Sequence, residues 1–279
     1  MSTWFITGAS RGLGREIART VLVGGETVVA TARDPERLPD DLIHSDQVLC
    51  LTLDVTRNDD IARAVEAAER RFGGIDVLVN NAGRGLVGAL EEITDAEARS
   101  LFDLNVFGLI NVTRAVLPGM RAARSGKIVH IGSRSGFEGA PGVSMYSASK
   151  FAVAGISEAL AAELEPFGVQ SMVVEPGAFR TDFLDAASLS IAARRIPAYD
   201  GTPAHAILDW REAANHTQPG DPVKGAALIY EVACQDKLPG HLALGRDAID
   251  HQLTKLRRIE DELITWQDKS AATACDNAT

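Results

Sequence analysis

Cysteine is scarce. The 279-residue chain has three, Cys50, Cys234 and Cys275, far apart and in no metal-ligand spacing. An odd, scattered set excludes a disulfide framework and a cysteine-built metal centre, and it suits a reducing compartment. Aromatic residues make up only 5 % of the chain, so small aliphatic side chains must do the packing, as where helices sit closely on a sheet. An excess of positive charge is also missing. The formal net charge of −10 argues against nucleic acid or an anionic membrane as a general partner, though not against an anionic ligand gripped by a few local arginines. No apolar run approaches the ~20 residues that span a bilayer, and no basic and then apolar leader precedes "STWFITGAS". Together these absences predict a soluble, cytoplasmic protein.

What is present is apolar residue in regular bursts, 46 % of the chain, enough for one large α/β core. "TWFITG", "ETVVATAR", "QVLCLTLDV", "IDVLVNNAG", "GKIVHIGS" and "VQSMVVEPG" read as buried strands, with "HLALG" a short seventh. Segments of helical periodicity separate them: "GLGREIARTVLVGG", "NDDIARAVEAAERRFGG", Thr94 to Arg124, and Tyr146 to Pro166. "DPVKGAALIYEVACQ" and residues 247–267 add two further helices. Strands that are apolar throughout, alternating with helices, predict a parallel doubly wound sheet covered on both faces. Residues 1–269 read as one domain. Within it 178–222 loosens into Pro, Gly and Asp and reads as a lid, and 270–279 reads as a disordered tail.

"TGASRGLG" joins the first strand to the first helix, where a phosphate loop belongs. Gly8 permits a tight turn, Gly12 and Gly14 let backbone approach a pyrophosphate and let helix and strand pack closely, and the helix N-terminus offers free N–H groups. Ser10 and Leu13 belong to the same loop. Arg11 lies inside it and Arg33 ends the second strand, where an acidic residue would bind a ribose 2′-hydroxyl. "TAR" has no carboxylate there, and arginines suit a 2′-phosphate. The expectation is NADP(H) over NAD(H), against the alternative that both arginines are solvated surface charges.

"SMYSASKFAVAG" sets Tyr146 and Lys150 four residues apart, on one helix face. Such a pair is usually surface decoration. It is also what a proton donor and its tuning cation require, since a free phenol near pKa ~10 needs a nearby positive charge to work at neutral pH. Ser133 ends the fifth strand, at the carboxyl edge where a parallel sheet opens its crevice. A serine there either satisfies local backbone or polarises a carbonyl oxygen.

With these residues in hand the chain resembles the classical short-chain dehydrogenases/reductases. "TGASRGLG", "LDV" with Asp54, "NNAG" at 80–83, Asn105, Ser133, "YSASK" and "PGAFRT" follow the family's order from Thr7 to Thr181. "GDPVKGAALI" and "LALGRDA" are similar to the branch of 17β-hydroxysteroid dehydrogenase-like and retinol dehydrogenase-like members. The resemblance implies a Rossmann-type seven-stranded sheet in the order 3-2-1-4-5-6-7 and a tetrad of Ser133, Tyr146, Lys150 and Asn105. Tyr146 would be the acid in reduction and the base in oxidation. Lys150 would lower its pKa and hold the nicotinamide ribose, and Asn105 would hold a water linking Lys150 to solvent. Asp54 and Val55 would border the adenine, Asn81, Ala82 and Gly83 the adenosine side, and Pro176, Gly177 and Thr181 the nicotinamide. His130 stands where the family often has Asn and is expected to be a core residue; no metal site is expected.

The expected activity is NADPH-dependent reduction of a medium-to-bulky, apolar ketone or aldehyde, with Phe179, Phe183 and Leu184 among the lid residues that meet substrate and His205 and His216 within reach of it. Two alternatives stand beside it: the same chemistry run oxidatively on a secondary alcohol or hydroxysteroid, and a non-catalytic NADP(H)-binding regulator. An apolar stripe of Phe151, Ile156 and Leu160, together with the resemblance, implies a homodimer or homotetramer.

Overall fold

The computed structural model describes residues 1–275. In chain order the elements are β1 (Thr3–Ile6), α1 (Gly12–Val23), β2 (Thr27–Ala32), α2 (Asp40–Ile43), β3 (Val48–Thr52), α3 (Asn58–Phe72), β4 (Val77–Asn80), β5 (Gly85–Val87), α4 (Asp95–Phe102) and α5 (Leu109–Ala123). Then follow β6 (Gly126–Ile131), α6 (Ser144–Leu164), β7 (Val169–Pro176), β8 (Leu189–Ile191), α7 (Pro203–Ala214), α8 (Pro222–Ala233), β9 (His241–Leu244) and α9 (Arg246–Ala271). Seven strands form one parallel sheet in the order β3-β2-β1-β4-β6-β7-β9. This is the order expected from the sequence once the two short strands β5 and β8 are set aside.

Side-chain alternation explains why each central strand is apolar throughout. Trp4 and Ile6, Val28 and Ala30, and Val77 and Val79 point to the layer that holds Ile17 and Val21 of α1 and Ile229 of α8. Phe5, Val29 and Leu78 point the other way, onto Ile61 and Val65 of α3 and Val112 and Val116 of α5. A strand buried on both faces has no polar side to show, so period two disappears from its sequence.

Local chemistry sets the helix starts. Thr94 and Glu97 form a capping box, the Thr94 Oγ1 accepting from Glu97 N–H at 3.3 Å and the Glu97 carboxylate accepting from Thr94 N–H at 2.8 Å. Asp221 caps α8 by accepting from Val223 N–H at 2.9 Å, with Pro222 in the first turn. Between α4 and α5 residues Asp103–Gly108 form a π-helical turn. The continuous stretch Asp95–Ala123 has the length and apolarity of a membrane-crossing helix, but its apolar side is the one that packs against the sheet and α3.

The segment read as a lid has more structure than its composition announced. β8 pairs in parallel with β5, Leu189 opposite Gly85, and α7 follows. The lid is fastened by a buried carboxylate: Glu92 accepts from Ala89 N–H at 2.9 Å, from Ile196 N–H at 2.7 Å, and pairs with His205 Nε2 at 2.9 Å. α9 continues to Ala271, two residues into the stretch read as tail; residues 276–279 lie outside the described residues.

His130 is a core residue, as expected, with no exposed surface. Thr113 Oγ1 donates to Leu109 C=O at 2.8 Å, so it must accept from Asn80 Nδ2 at 2.9 Å. That fixes the Asn80 amide, which then donates to His130 Nδ1 at 3.2 Å and assigns the proton to Nε2. Burial depresses the His130 pKa to about 3. Below the unfolded value near 6.5 the unfolded chain binds a proton that the folded chain refuses, so stability falls as pH falls from about 6.5 toward 3. We expect His130→Asn to flatten the acid side of the stability curve by up to ~1.4 kcal/mol per pH unit. Urea midpoints of the wild type and variant at pH 5 and pH 7 test this; parallel slopes would refute it.

Candidate active site

The sheet order reverses between β1 and β4, the point at which a parallel sheet opens a crevice at its carboxyl ends. A cavity of about 1010 Å³ lies there. Gly8, Ser10, Arg11, Gly12 and Leu13 line it from the β1–α1 loop, and Arg33, Asp54 and Val55 from the ends of β2 and β3. Asn81, Ala82 and Gly83 follow from β4, and Pro176, Gly177 and Thr181 from the end of β7. Ser133, Tyr146 and Lys150 complete it. Residues scattered over most of the chain therefore meet in one space.

The glycine loop keeps its shape by close contact. Gly8 has φ +69°, a conformation that L side chains avoid. Gly14 does not line the cavity; a Cβ there would come within 2.3 Å of Asn81 Nδ2 and 2.6 Å of Gly8 C=O. Its role is the packing of α1 onto the strand ends. The first turn of α1 has neither a side-chain cap at Arg11 nor an acidic residue. Its N–H groups and positive dipole end are thus left for an anion, and the site fits a dinucleotide pyrophosphate.

The two arginines behave differently. Arg33 is exposed at the end of β2 and faces the cavity. Arg11 Nη2 donates instead to Ala187 C=O at 2.8 Å, reaching across to the lid. Burial works to raise the Asp54 pKa, but hydrogen bonds from Thr56 and the charges of Arg33 and Arg57 outweigh it and hold the carboxyl below its ordinary value.

The tetrad comes together around the N-terminal turns of α6. Tyr146, Lys150 and Ser133 are all buried. The Ser133 hydroxyl accepts from Ser135 N–H at 3.1 Å and so starts the turn after β6. Lys150 Nζ donates to Ile131 C=O at 2.7 Å and lies 5.9 Å from the centre of the Tyr146 ring. Asn105 sits on the π-helical turn, behind the cavity wall. Its side chain donates to Arg84 C=O at 2.9 Å and to Ser149 Oγ at 3.1 Å, and accepts from Arg84 N–H at 3.0 Å. Gly83 separates it from Lys150: a Cβ there would meet Asn105 Oδ1 at 3.2 Å and Lys150 Nζ at 3.7 Å.

In this cleft burial pushes the Tyr146 phenol up to about 12. The influences that oppose burial come from Ser133 and then Arg134. Lys150 is itself desolvated, its pKa lowered to about 8, and its ammonium is turned to the Ile131 carbonyl. Burying a charge and a phenol together penalises both ionised forms.

The other end of the cavity is apolar. Val87, Val143, Phe183, Leu184, Leu189 and Ile207 line it, and the Phe183 ring stands 5.9 Å from that of Tyr146. Phe179 also borders the space, but its ring packs against Gly220, Gly225 and Gly245. Trp210, Arg211 and Gln218 line the cavity too; they sit on α7 and the loop after it, and no motif or periodicity marks them. His205 and His216 are elsewhere. His205 is buried in the Glu92 fastening, and exposed His216 pairs with Asp185 at 3.3 Å. The fold also gathers Asp182, Asp185 and His216 so that their ligand atoms lie within 4.8 Å of one another, a grouping that sequence spacing did not reveal.

The short chain dehydrogenase model matches residues 2–190. The chain belongs to the short-chain dehydrogenase family. An oxidoreductase of Botryotinia fuckeliana is 36 % identical over 275 residues, covering 97 % of this chain and 98 % of that protein. A short-chain dehydrogenase of Streptomyces avermitilis has a TM-score of 0.90 at 42 % identity, covering 98 % of this chain and 99 % of its own. The 3-ketoacyl-(acyl-carrier-protein) reductase of Brucella melitensis, solved with NADH, has a TM-score of 0.73 at 25 % identity, covering 87 % and 95 %. This short-chain dehydrogenase is accordingly an NAD(P)-dependent oxidoreductase, and its glycine loop, uncapped α1 and buried Tyr146–Lys150 pair fit the dinucleotide.

Gly14→Ala tests the loop packing. With backbone on one side and Asn81 on the other, the added methyl should cost roughly 1–3 kcal/mol and weaken dinucleotide binding. Thermal unfolding with and without cofactor measures both; an unchanged melting temperature would contradict the contact.

Proposed function

We propose that this short-chain dehydrogenase is an NADPH-dependent carbonyl reductase acting on a medium-to-bulky, apolar ketone or aldehyde. The observation that carries this reading is the meeting of buried Tyr146, Ser133 and Lys150 in one cleft with the glycine loop. Burial raises the pKa of that phenol to about 12, so it holds its proton at neutral pH, the form that a carbonyl reduction draws on.

Bound nicotinamide supplies the hydride. The chain's own groups do the rest. Ser133 orients the carbonyl oxygen by hydrogen bonding and offsets its developing negative charge. Tyr146 gives that oxygen its proton. Lys150 carries positive charge beneath the pair and holds the ribose, and Asn105 maintains the path by which a proton returns. Orientation by the cleft and exclusion of water supply the remainder.

NADPH preference rests on Arg33, exposed at the end of β2 with no acidic residue before Asp34 to repel a 2′-phosphate. An apolar substrate is supported by the aliphatic and aromatic lining around Phe183 and by the size of the cavity.

Two variants test the proposal. Tyr146→Phe should lower turnover about 10²–10⁴-fold, the usual worth of a general acid, while NADPH affinity stays within about twofold of wild type. A variant that keeps its turnover on a panel of apolar ketones would refute the proton role. Arg33→Ala should weaken NADPH about tenfold more than NADH, the loss of one charge-assisted contact. Equal losses in titrations of the two would remove the 2′-phosphate argument.

A further inference from the structure

The motif "LALGRDA" is a part of the sequence that the tetrad and the glycine loop leave unused. It runs from β9 into α9, and its aspartate, Asp247, lies in the first turn of that helix. A carboxylate is favoured there by the helix dipole. Its contacts, however, are not with its own helix.

Asp247 Oδ2 accepts a hydrogen bond from Ala178 N–H at 2.8 Å. The same oxygen lies 3.6 Å from Arg134 Nη1. Ala178 follows Pro176 and Gly177, which line the cavity at the end of β7, and Arg134 follows Ser133. One carboxylate therefore bridges the two segments that flank the reacting end of the cleft. The fit at Gly177 is close: a Cβ there would lie 2.0 Å from Asp247 Oδ1 and 2.3 Å from its Cγ. The carboxylate occupies the space a side chain would need. Gly177 N–H is in turn held by Leu244 C=O at 2.9 Å, so backbone and carboxylate grip this strand end from two sides.

The rest of α9 docks in the same polar manner. Gln252 Nε2 donates to Glu175 Oε2 at 2.8 Å, Lys255 Nζ donates to Phe137 C=O, and Arg258 pairs with Glu138 at 3.6 Å. Ala248 is the one residue of the helix that is buried. An element this lightly packed is held by its hydrogen bonds and ion pairs, and Asp247 is the member of the set that reaches Gly177 and Ala178.

We propose that Asp247 is a positioning residue for the nicotinamide end of the cleft, fixing the Pro176–Ala178 backbone and the Arg134 guanidinium relative to Ser133. This rests on the reading of the cleft as a dinucleotide site. Asp247 does not itself line the cavity, so its effect is transmitted through Gly177, Ala178 and Arg134. It should matter for the nicotinamide half of the cofactor and not for the adenosine half, which β1, β2 and β4 hold.

The test compares two ligands on the full-length protein by calorimetry. NADP⁺ spans both halves of the site, whereas adenosine 2′,5′-bisphosphate occupies the adenosine half. Asp247→Ala should weaken NADP⁺ about tenfold, the worth of one lost charge-assisted hydrogen bond, and leave the bisphosphate within about twofold. Asp247→Asn, which keeps an oxygen for Ala178 N–H, should recover most of the NADP⁺ affinity. An Asp247→Ala protein that binds both ligands as wild type does, or loses both equally, would overturn the proposal, as would failure of Asp247→Asn to restore binding. Should the wild type prefer NAD⁺, the same comparison is made between NAD⁺ and adenosine monophosphate. A wild type that binds neither dinucleotide would instead bring down the reading of the cleft, and this proposal with it.

Discussion

The cleft depends on how β1 and β4 are tied together just where they diverge. Thr7 stands one residue past β1, and its hydroxyl accepts from both Asn81 N–H at 2.9 Å and Ala82 N–H at 3.0 Å. The Asn81 side chain returns the contact, donating to Thr7 C=O at 2.8 Å and Gly8 C=O at 3.0 Å. Without these bonds, two strand ends at the sheet's reversal point would expose unpaired backbone groups toward the crevice. With them, the phosphate loop and the "NNAG" turn become one rigid wall. Gly14 is excluded from bearing a side chain by the same Asn81 amide. A residue expected to touch cofactor thus has a prior duty, which is to make the place where cofactor lies.

Burial governs the chemistry as strongly as it governs the fold. The family resemblance presents the lysine as the group that makes the phenol acidic, yet the desolvation that Tyr146 suffers drives its pKa upward and lowers that of Lys150. A low-dielectric cleft opposes ionisation of either partner unless geometry brings them close. Here Lys150 points to the Ile131 carbonyl, so the phenol feels Ser133 and Arg134 first.

Most of the scaffold and the chemical core were legible in the sequence, and for identifiable reasons. Strands such as "TWFI" and "VLVN" are buried on both faces, so they appear as unbroken apolar runs between helices of plain period. Gly8, Ser133, Tyr146 and Lys150 lie in short local patterns whose spacing survives folding. What escaped depends on contacts between distant segments. β5 and β8 have three residues each, too few for any period to show, and they exist as strands because they pair with each other. Trp210, Arg211 and Gln218 reach the cavity because Glu92 and His205 fasten the lid in place, and nothing near those residues announces it. The burial of Tyr146 and Lys150 also escaped, because sequence gives the identity of a neighbour but not its depth.

The same contrast explains how the molecule divides its labour. The adenosine half of the cleft is made from strand ends inside the apolar core, where movement would disrupt close packing. The other half is bounded by elements attached through polar contacts: residues 178–222 through Glu92 and His205, and α9 through Asp247, Gln252 and Lys255. Polar fastenings are directional and few, so they can hold a wall in place without requiring a continuous core behind it. Changes of lid sequence would then alter the shape offered to substrate while leaving the dinucleotide wall and the tetrad where they are. Under the proposed function, substrate choice would rest with residues 178–222, among which Phe183, Leu184 and Leu189 line the cavity, and the geometry of proton transfer with the seating of α6 on the sheet.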